Sequence, residues 1–249
     1  MCDSARTAPG TGWRGWNTSD TSRPARAAGD WIDLTWPLSP TVPRISSFPP
    51  PRIERIASIP EEPLNITELS MIVYIGTHVD SPRHFFSDGP ALEDVPLARL
   101  MGPGVVWRID KPLDGMIEPE DFERMRPRLE PGDILLLDTG VAEYVGTPDY
   151  DRHAALSVAA AEWLVDRKIK LLAVDIPTPD IPITGGLKGS TGPFTMRCCG
   201  TVSSARSRLQ TPAHLRDAVL SSCFCRSTSS VAMAHRRACS GAPSASEFG

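Results

Sequence analysis

The chain has 249 residues, and its 26 lysines and arginines against 30 aspartates and glutamates give a net charge of −4 at pH 7. This length allows one domain of ordinary size or two small ones, and the acidic balance gives no reason to expect nucleic acid or a membrane as a partner. Residues 1–29 lack the apolar centre of a secretory signal. We therefore predict a disordered leader at 1–29 and a cytoplasmic protein.

The elements predicted along the chain are those of one α/β domain. Trp31–Leu38 predicts a strand, and the proline-rich segment Pro40–Pro51 predicts an active-site loop. Residues 53–59 and 66–75 alternate apolar and polar side chains, as strands do. Further strands are predicted at Val105–Ile109, Ile134–Leu137 and Leu171–Val174. Short helices are predicted at Leu92–Leu100, Glu118–Met125 and Val158–Arg167, and Ser157 is the expected N-cap of the last helix.

Asp138 and Asp175 each end an apolar predicted strand. The carboxyl ends of such strands are where sites of α/β proteins gather. A second interpretation, in which each carboxylate caps the turn that follows its strand, accounts for them equally well.

Residues 76–85 read GTHVDSPRHF and place two histidines and an aspartate within seven positions. Since alternate side chains of an extended chain share a face, His78 and Asp80 are expected to project together from the strand predicted at Met71–Ile75. The proline that follows turns the chain, so that His84 can return to the same pocket. Imidazole and carboxylate are ligands for zinc or manganese. The alternative is a surface loop whose polar side chains cap turns.

The same ten residues resemble part of the H-x-G-T-H-x-D-x-P-x-H-F signature of the metal-dependent cyclase family, which the chain matches from Gly76 to Phe85. This family includes bacterial kynurenine formamidases, isatin hydrolases and aromatic polyketide cyclases. Four other segments resemble the opening strand, the central strand and turn, a helix and the next strand of this family: residues 32–39, 129–140, 156–164 and 171–180. The resemblance covers residues 30 to about 183, so a cyclase-like domain is predicted at 30–190.

The resemblance implies a mixed sheet in a swivelling β/β/α arrangement, partly closed into a barrel, and a homodimer. It also implies a small aromatic substrate and hydrolysis of an aryl formamide such as N-formylkynurenine. His78 and Asp80 are the candidate metal ligands for an ion that activates water, and His84 is the candidate proton carrier. An aromatic polyketide cyclase is the alternative activity, and neighbouring polyketide synthase genes would distinguish it.

Tyr74 stands where the family has its first motif histidine. An unperturbed phenol titrates near ~10 and is a poor ligand at neutral pH, so we predict that Tyr74 lines the pocket without binding the metal. The missing histidine leaves a third alternative open, in which the chain is an inactive remnant.

The composition changes after about residue 190. Five of the six cysteines lie at or after Cys198, and from Phe194 onward there are seven arginines and no lysine. Read two nucleotides later, the codons of Phe194–Val202 permit His-His-Ala-Leu-Leu-Arg-Asn-Gly, which resembles the family segment missing here. The same offset permits a glutamate near Arg206 and Phe-Leu-Pro-Leu-Asn around Cys223. We therefore predict that residues 191–249 are an out-of-frame, poorly ordered tail, and that the C-terminal part of the family fold is missing or disordered.

Resequencing the gene tests this hypothesis. We expect independent isolates to carry a reading frame that restores the His-His segment shortly after Gly189. Several isolates that confirm the present translation through residue 249 would contradict it.

Overall fold

The computed structural model describes residues 34–182 in full and the backbone of four further strands, at 31–33, 203–205, 219–224 and 232–236. The bounds of the strands and helices are: β1 Trp31–Asp33, β2 Arg52–Ala57, β3 Ile66–Ser70, β4 Met101–Arg108, β5 Met116–Ile117, α1 Pro119–Glu123, β6 Ile134–Asp138, β7 Ala155–Leu156, α2 Val158–Asp166, β8 Leu171–Val174, β9 Ser203–Ala205, β10 Val219–Phe224 and β11 Ala232–Arg236. No helix within the described residues is long and apolar enough to cross a membrane.

Seven of these strands form one mixed sheet in the order β1-β11-β10-β4-β6-β8-β9. The pairs β4–β6, β6–β8 and β8–β9 are parallel, and β1–β11, β11–β10 and β10–β4 are antiparallel. Two small sheets, β2–β3 and β5–β7, stand apart from it. The predicted mixed α/β architecture is confirmed, while partial closure into a barrel stays an expectation.

The central strands β6 and β8 are buried along their whole length because apolar layers cover both faces of the sheet. Successive side chains of β6 alternate between these layers. Leu135 and Leu137 pack into the layer that contains α2, and Ile134 and Leu136 pack into the layer on the opposite face. Both strands match their predicted bounds, with Asp138 added to the end of β6.

Helix α2 follows its predicted signals. The Ser157 hydroxyl accepts a hydrogen bond from the Ala160 amide at 3.0 Å, which satisfies one of the unpaired donors at the helix start. The helix buries Ala160, Ala161 and Leu164, while Ala159 is exposed.

Three predicted elements differ from the structure. The first strand ends at Asp33 rather than Leu38, and residues 92–100 form two short 3-10 turns rather than one helix. The strand predicted through Ile75 ends at Ser70, and turns follow it. Only the end of that segment enters the interior: Ile75 is 2% exposed, whereas Val73 is 46% exposed. An apolar run that ends in a turn leaves the same sequence signal as a strand.

Three strands within the segment predicted to be a poorly ordered tail, β9, β10 and β11, join the main sheet. Strand β10 pairs antiparallel with β4, with Val219 opposite Val105 and Cys223 opposite Met101. The rest of the predicted tail and the predicted leader at 1–29 lie outside the described residues.

Candidate functional site

The site begins at a glycine in the left-handed backbone region. Gly76 has φ +62°, a conformation that side chains disfavour, and an added Cβ would lie 2.8 Å from the Val42 side chain. The Gly76 amide donates to the carbonyl oxygen of Pro43 at 2.8 Å. The next residue, Thr77, accepts the Trp36 amide on its hydroxyl at 3.1 Å. These two bonds hold the motif against the segment that leads into the proline-rich loop.

His78 and Asp80 meet in the interior, where they are 7% and 1% exposed. The His78 Nδ1 atom lies 2.9 Å from the carbonyl oxygen of Gly76. A carbonyl only accepts, so in the neutral ring Nδ1 carries the hydrogen and Nε2 presents a lone pair. That Nε2 atom lies 3.6 Å from Asp80 Oδ1. A backbone carbonyl that orients a histidine in this way is typical of histidines that bind metals.

The separation of these two atoms suits a shared ion. Two ligand atoms at ~2.1 Å from a tetrahedral zinc lie about 3.4 Å apart, close to the 3.6 Å between His78 Nε2 and Asp80 Oδ1. A buried lone pair beside a buried carboxylate also favours a cation between them. The pair therefore fits a divalent metal.

Tyr74 lies between the two histidines. Its ring centroid is 5.9 Å from that of His78 and 4.1 Å from that of His84. On its other side the His84 ring meets Phe85 edge to face at 4.3 Å. Tyr74 thus connects His84 with His78 of the His78–Asp80 pair. The rings of Tyr74, His78, His84 and Phe85 form one aromatic cluster.

Within the part of the chain that the structure describes, no group of three or more histidine, cysteine, aspartate or glutamate side chains is arranged to hold a metal ion. The described residues therefore supply two candidate ligands, His78 and Asp80. His84 does not join them in a three-ligand group.

A second buried polar cluster lies at the carboxyl ends of the parallel strands. Asp175 accepts the amide and hydroxyl of Thr139 on Oδ1, at 2.9 and 2.7 Å, and the Gly140 amide on Oδ2 at 2.9 Å. Asp138 accepts a bond from Arg108 at 2.9 Å. The three donors to Asp175 belong to the turn after β6, so Asp175 caps the turn of the neighbouring strand rather than the turn after its own strand, β8.

Burial, with repulsion from Asp138 as a second cause, raises the pKa of Asp175 to about 6. The three hydrogen bonds from Thr139 and Gly140 lower it in part. Since its ordinary value is 3.8, the folded chain binds more protons than the unfolded chain between these values.

Sequence reasoning missed the contacts that position the loop at 40–51. The Ser46 amide donates to Asp151 Oδ2 at 3.1 Å across 105 positions, and Pro43 accepts from Gly76 across 33. Neither aspartate spacing nor hydrophobic periodicity signals a bond between distant loops.

A family model described as "Putative cyclase" matches residues 32–181. The kynurenine formamidase of Bordetella petrii is 30% identical over 123 residues, which are 49% of this chain and 56% of that protein. The kynurenine formamidase of Bacillus cereus is 30% identical over 156 residues, 61% of this chain and 70% of the relative. The chain thus matches little more than half the length of the Bordetella relative.

Solved structures share the fold. Isatin hydrolase A from Labrenzia aggregata has a TM-score of 0.68 at 20% identity, over 83% of this chain and 93% of that one. A structure described as a predicted metal-dependent hydrolase from Bacillus stearothermophilus has a TM-score of 0.66 at 20% identity, over 85% and 100%. At these identities the likeness concerns the fold alone.

Replacement of Asp175 tests its pKa. The stabilisation from protonated Asp175 is complete below about pH 4 and is lost as the pH rises through about 6. We expect Asp175→Asn to be less stable overall, because its amide meets the donor of Gly140, but to lose less stability than the parent chain from about pH 4 to about pH 7. Urea unfolding across this pH range measures the free energy of unfolding and its change with pH, and the exposed Asp94→Asn serves as control. Parallel pH profiles for parent and Asp175→Asn would contradict the raised pKa.

Proposed function

Because the chain belongs to the cyclase family described as "Putative cyclase", we propose that it is a metal-dependent hydrolase of an aryl formamide such as N-formylkynurenine. The observation that carries this proposal is the buried pair of His78 Nε2 and Asp80 Oδ1, 3.6 Å apart. The relatives named kynurenine formamidase support the substrate class.

In this proposal His78 and Asp80 hold a divalent ion, zinc or manganese. When bound, such an ion supplies Lewis acidity, which lowers the pKa of water and stabilises negative charge on a carbonyl oxygen. The Gly76 carbonyl fixes the tautomer and the direction of His78. Asp80 supplies a buried negative charge that favours a cation at this point.

His84 carries the proton to the leaving amine. An imidazole accepts and releases protons near neutral pH, and His84 is only half-buried, so it can reach both substrate and solvent. The rings of Tyr74 and Phe85 on either side restrict its orientation. The hydroxylated ring of Tyr74 also gives the pocket an aromatic wall, against which a substrate ring can stack.

One observation favours the second candidate, an impaired or inactive member of the family. The described residues offer two candidate ligands where catalytic zinc sites usually have three, and Tyr74 replaces the family's first histidine. We propose that the chain as written binds metal weakly. We also propose that residues 191–249 leave the ancestral frame, which the end of the family match at residue 181 supports.

We further propose that the protein forms a homodimer through the hairpin of β2 and β3. Of the 13 exposed large apolar side chains among the described residues, seven lie between Ile53 and Val73. Among the described strands, these two pair only with each other, and an isolated hairpin is marginally stable in water. The hairpin also carries both signs of charge, Arg52 and Arg55 against Glu54 and Glu68, so that the same surface on a second copy can complement it.

Substitution of the two histidines separates the proposed roles. His78→Ala is expected to lose metal binding and aryl formamide hydrolysis together, because it removes a ligand. His84→Ala is expected to keep its metal and to lose about 10²-fold or more in kcat, because it removes only the proton carrier. Metal content by mass spectrometry and formate release measure the two effects. Metal retained by His78→Ala at the parent level would overturn the proposed site.

Light scattering on Ile56→Asp tests the dimer. Ile56 and Leu97 are both 54% exposed, but only Ile56 lies on the hairpin, so Leu97→Asp is the matched control. We expect the parent and Leu97→Asp to have the mass of a dimer and Ile56→Asp that of a monomer, since a charge in an apolar contact is costly. A monomeric parent, or a dimeric Ile56→Asp, would contradict the proposal.

A further inference from the structure

The proline-rich loop at residues 40–51 is braced by its own side chains. The Arg44 guanidinium donates from Nε to the Phe48 carbonyl at 3.1 Å, and from Nη1 to the carbonyls of Val42 and Pro40 at 3.4 and 3.5 Å. The Phe48 amide donates to the Ile45 carbonyl at 3.1 Å. Its five prolines fix further backbone angles. A loop built in this way keeps its shape.

The inner side of this loop is fixed beside the candidate site. Val42, 2% exposed, packs against Gly76, and the Pro43 carbonyl accepts the Gly76 amide at 2.8 Å. Gly76 in turn orients His78 through its own carbonyl. The position of the loop and the position of the histidine are therefore set by the same residue.

The outer side of the loop is fixed by Asp151. Its Oδ2 accepts the Ser46 amide at 3.1 Å. Within the described part of the chain, this is the one hydrogen bond that joins residues 44–48 to another segment. Without it, none of the described hydrogen bonds would join residues 44–48 to a segment outside the loop.

The backbone around Asp151 is anchored in the core. It ends the 3-10 helix Pro148–Asp151, whose Tyr150 is 3% exposed in the main core. Asp151 Oδ1 is also buried and has no hydrogen-bond partner among the described residues. A buried acceptor without a partner costs free energy, so packing alone gives no reason for a carboxylate here. The hydrogen bond from the Ser46 amide gives a reason for a carboxylate at this position.

We infer that Asp151 is a positioning residue: it ties the proline-rich loop at Ser46, and this loop, which meets Gly76 next to the His78–Asp80 pair, forms a wall for the substrate ring. A substrate ring held against this wall loses contact when the loop swings outward. This inference rests on the proposed function, because it assigns Asp151 an effect on aryl formamide binding. It predicts an effect on affinity rather than on the chemical step.

Three variants of the full chain test the inference. Asp151→Ala removes the acceptor, Asp151→Asn keeps an oxygen for Ser46, and Asp149→Ala changes an aspartate of the same 3-10 helix that pairs with Arg152 instead. Hydrogen exchange of residues 44–48 reads the tether without reference to activity. KM and kcat for N-formylkynurenine, and the Kd of the aromatic amine product, read its effect on binding.

We expect Asp151→Ala to exchange about tenfold faster at residues 44–48 and to raise KM and Kd about fivefold with kcat within about twofold. Asp151→Asn and Asp149→Ala should resemble the parent. Unchanged exchange in Asp151→Ala would overturn the tether, and faster exchange with unchanged KM and Kd would overturn the positioning role. If the parent neither binds the amine nor hydrolyses the formamide while the exchange difference persists, the tether stands and the proposed function fails.

Discussion

Both backbone groups of Gly76 are used, and the organisation of the site depends on them. Its amide donates to Pro43 and its carbonyl faces His78 Nδ1. Its left-handed conformation, at φ +62°, sends the chain inward, so that the six residues from Ile75 to Asp80 are all buried. A residue with a Cβ would meet both a strained backbone and the Val42 side chain. One glycine therefore sets the loop, the turn and the direction of the histidine together.

The fold buries two carboxylates with different surroundings, one in a structural role and one in the candidate metal site. Asp175 receives three donors from the turn after β6, which explains it as a cap. Asp80 instead faces the lone pair of His78 Nε2 at 3.6 Å, an arrangement that a cation stabilises and a neutral pocket does not. The environment of each group, rather than its residue type, indicates which one belongs to a metal site.

The sequence predicts those parts of the fold whose signals are local. Continuous apolar runs locate β6 and β8, and the Ser157 cap locates α2, because each feature is written within a few residues. The sequence does not predict the segments in which strand formation depends on pairing with another strand. Residues 71–75 are as apolar as a strand but turn, and no described strand pairs with them. Strand β10 has no periodic pattern of its own but pairs with β4. Strand formation there depends on the partner edge, which a window of sequence does not contain.

The candidate site shows the same division. The spacing of His78 and Asp80 predicts that they meet, and the structure brings their side chains to 3.6 Å. The carbonyl that orients His78 and the carboxylate that ties Ser46 are absent from any motif, because each depends on backbone geometry or on a contact across 105 positions. Motifs thus identify the reactive groups, while the groups that position them require the structure.

Crystals of the full chain grown with manganese or zinc would test the central claim most directly, through anomalous scattering at the edge of the metal. The account predicts one strong peak about 2.0–2.2 Å from His78 Nε2 and from an oxygen of Asp80. A peak at another place, or none near these two residues at a saturating metal concentration, would contradict it.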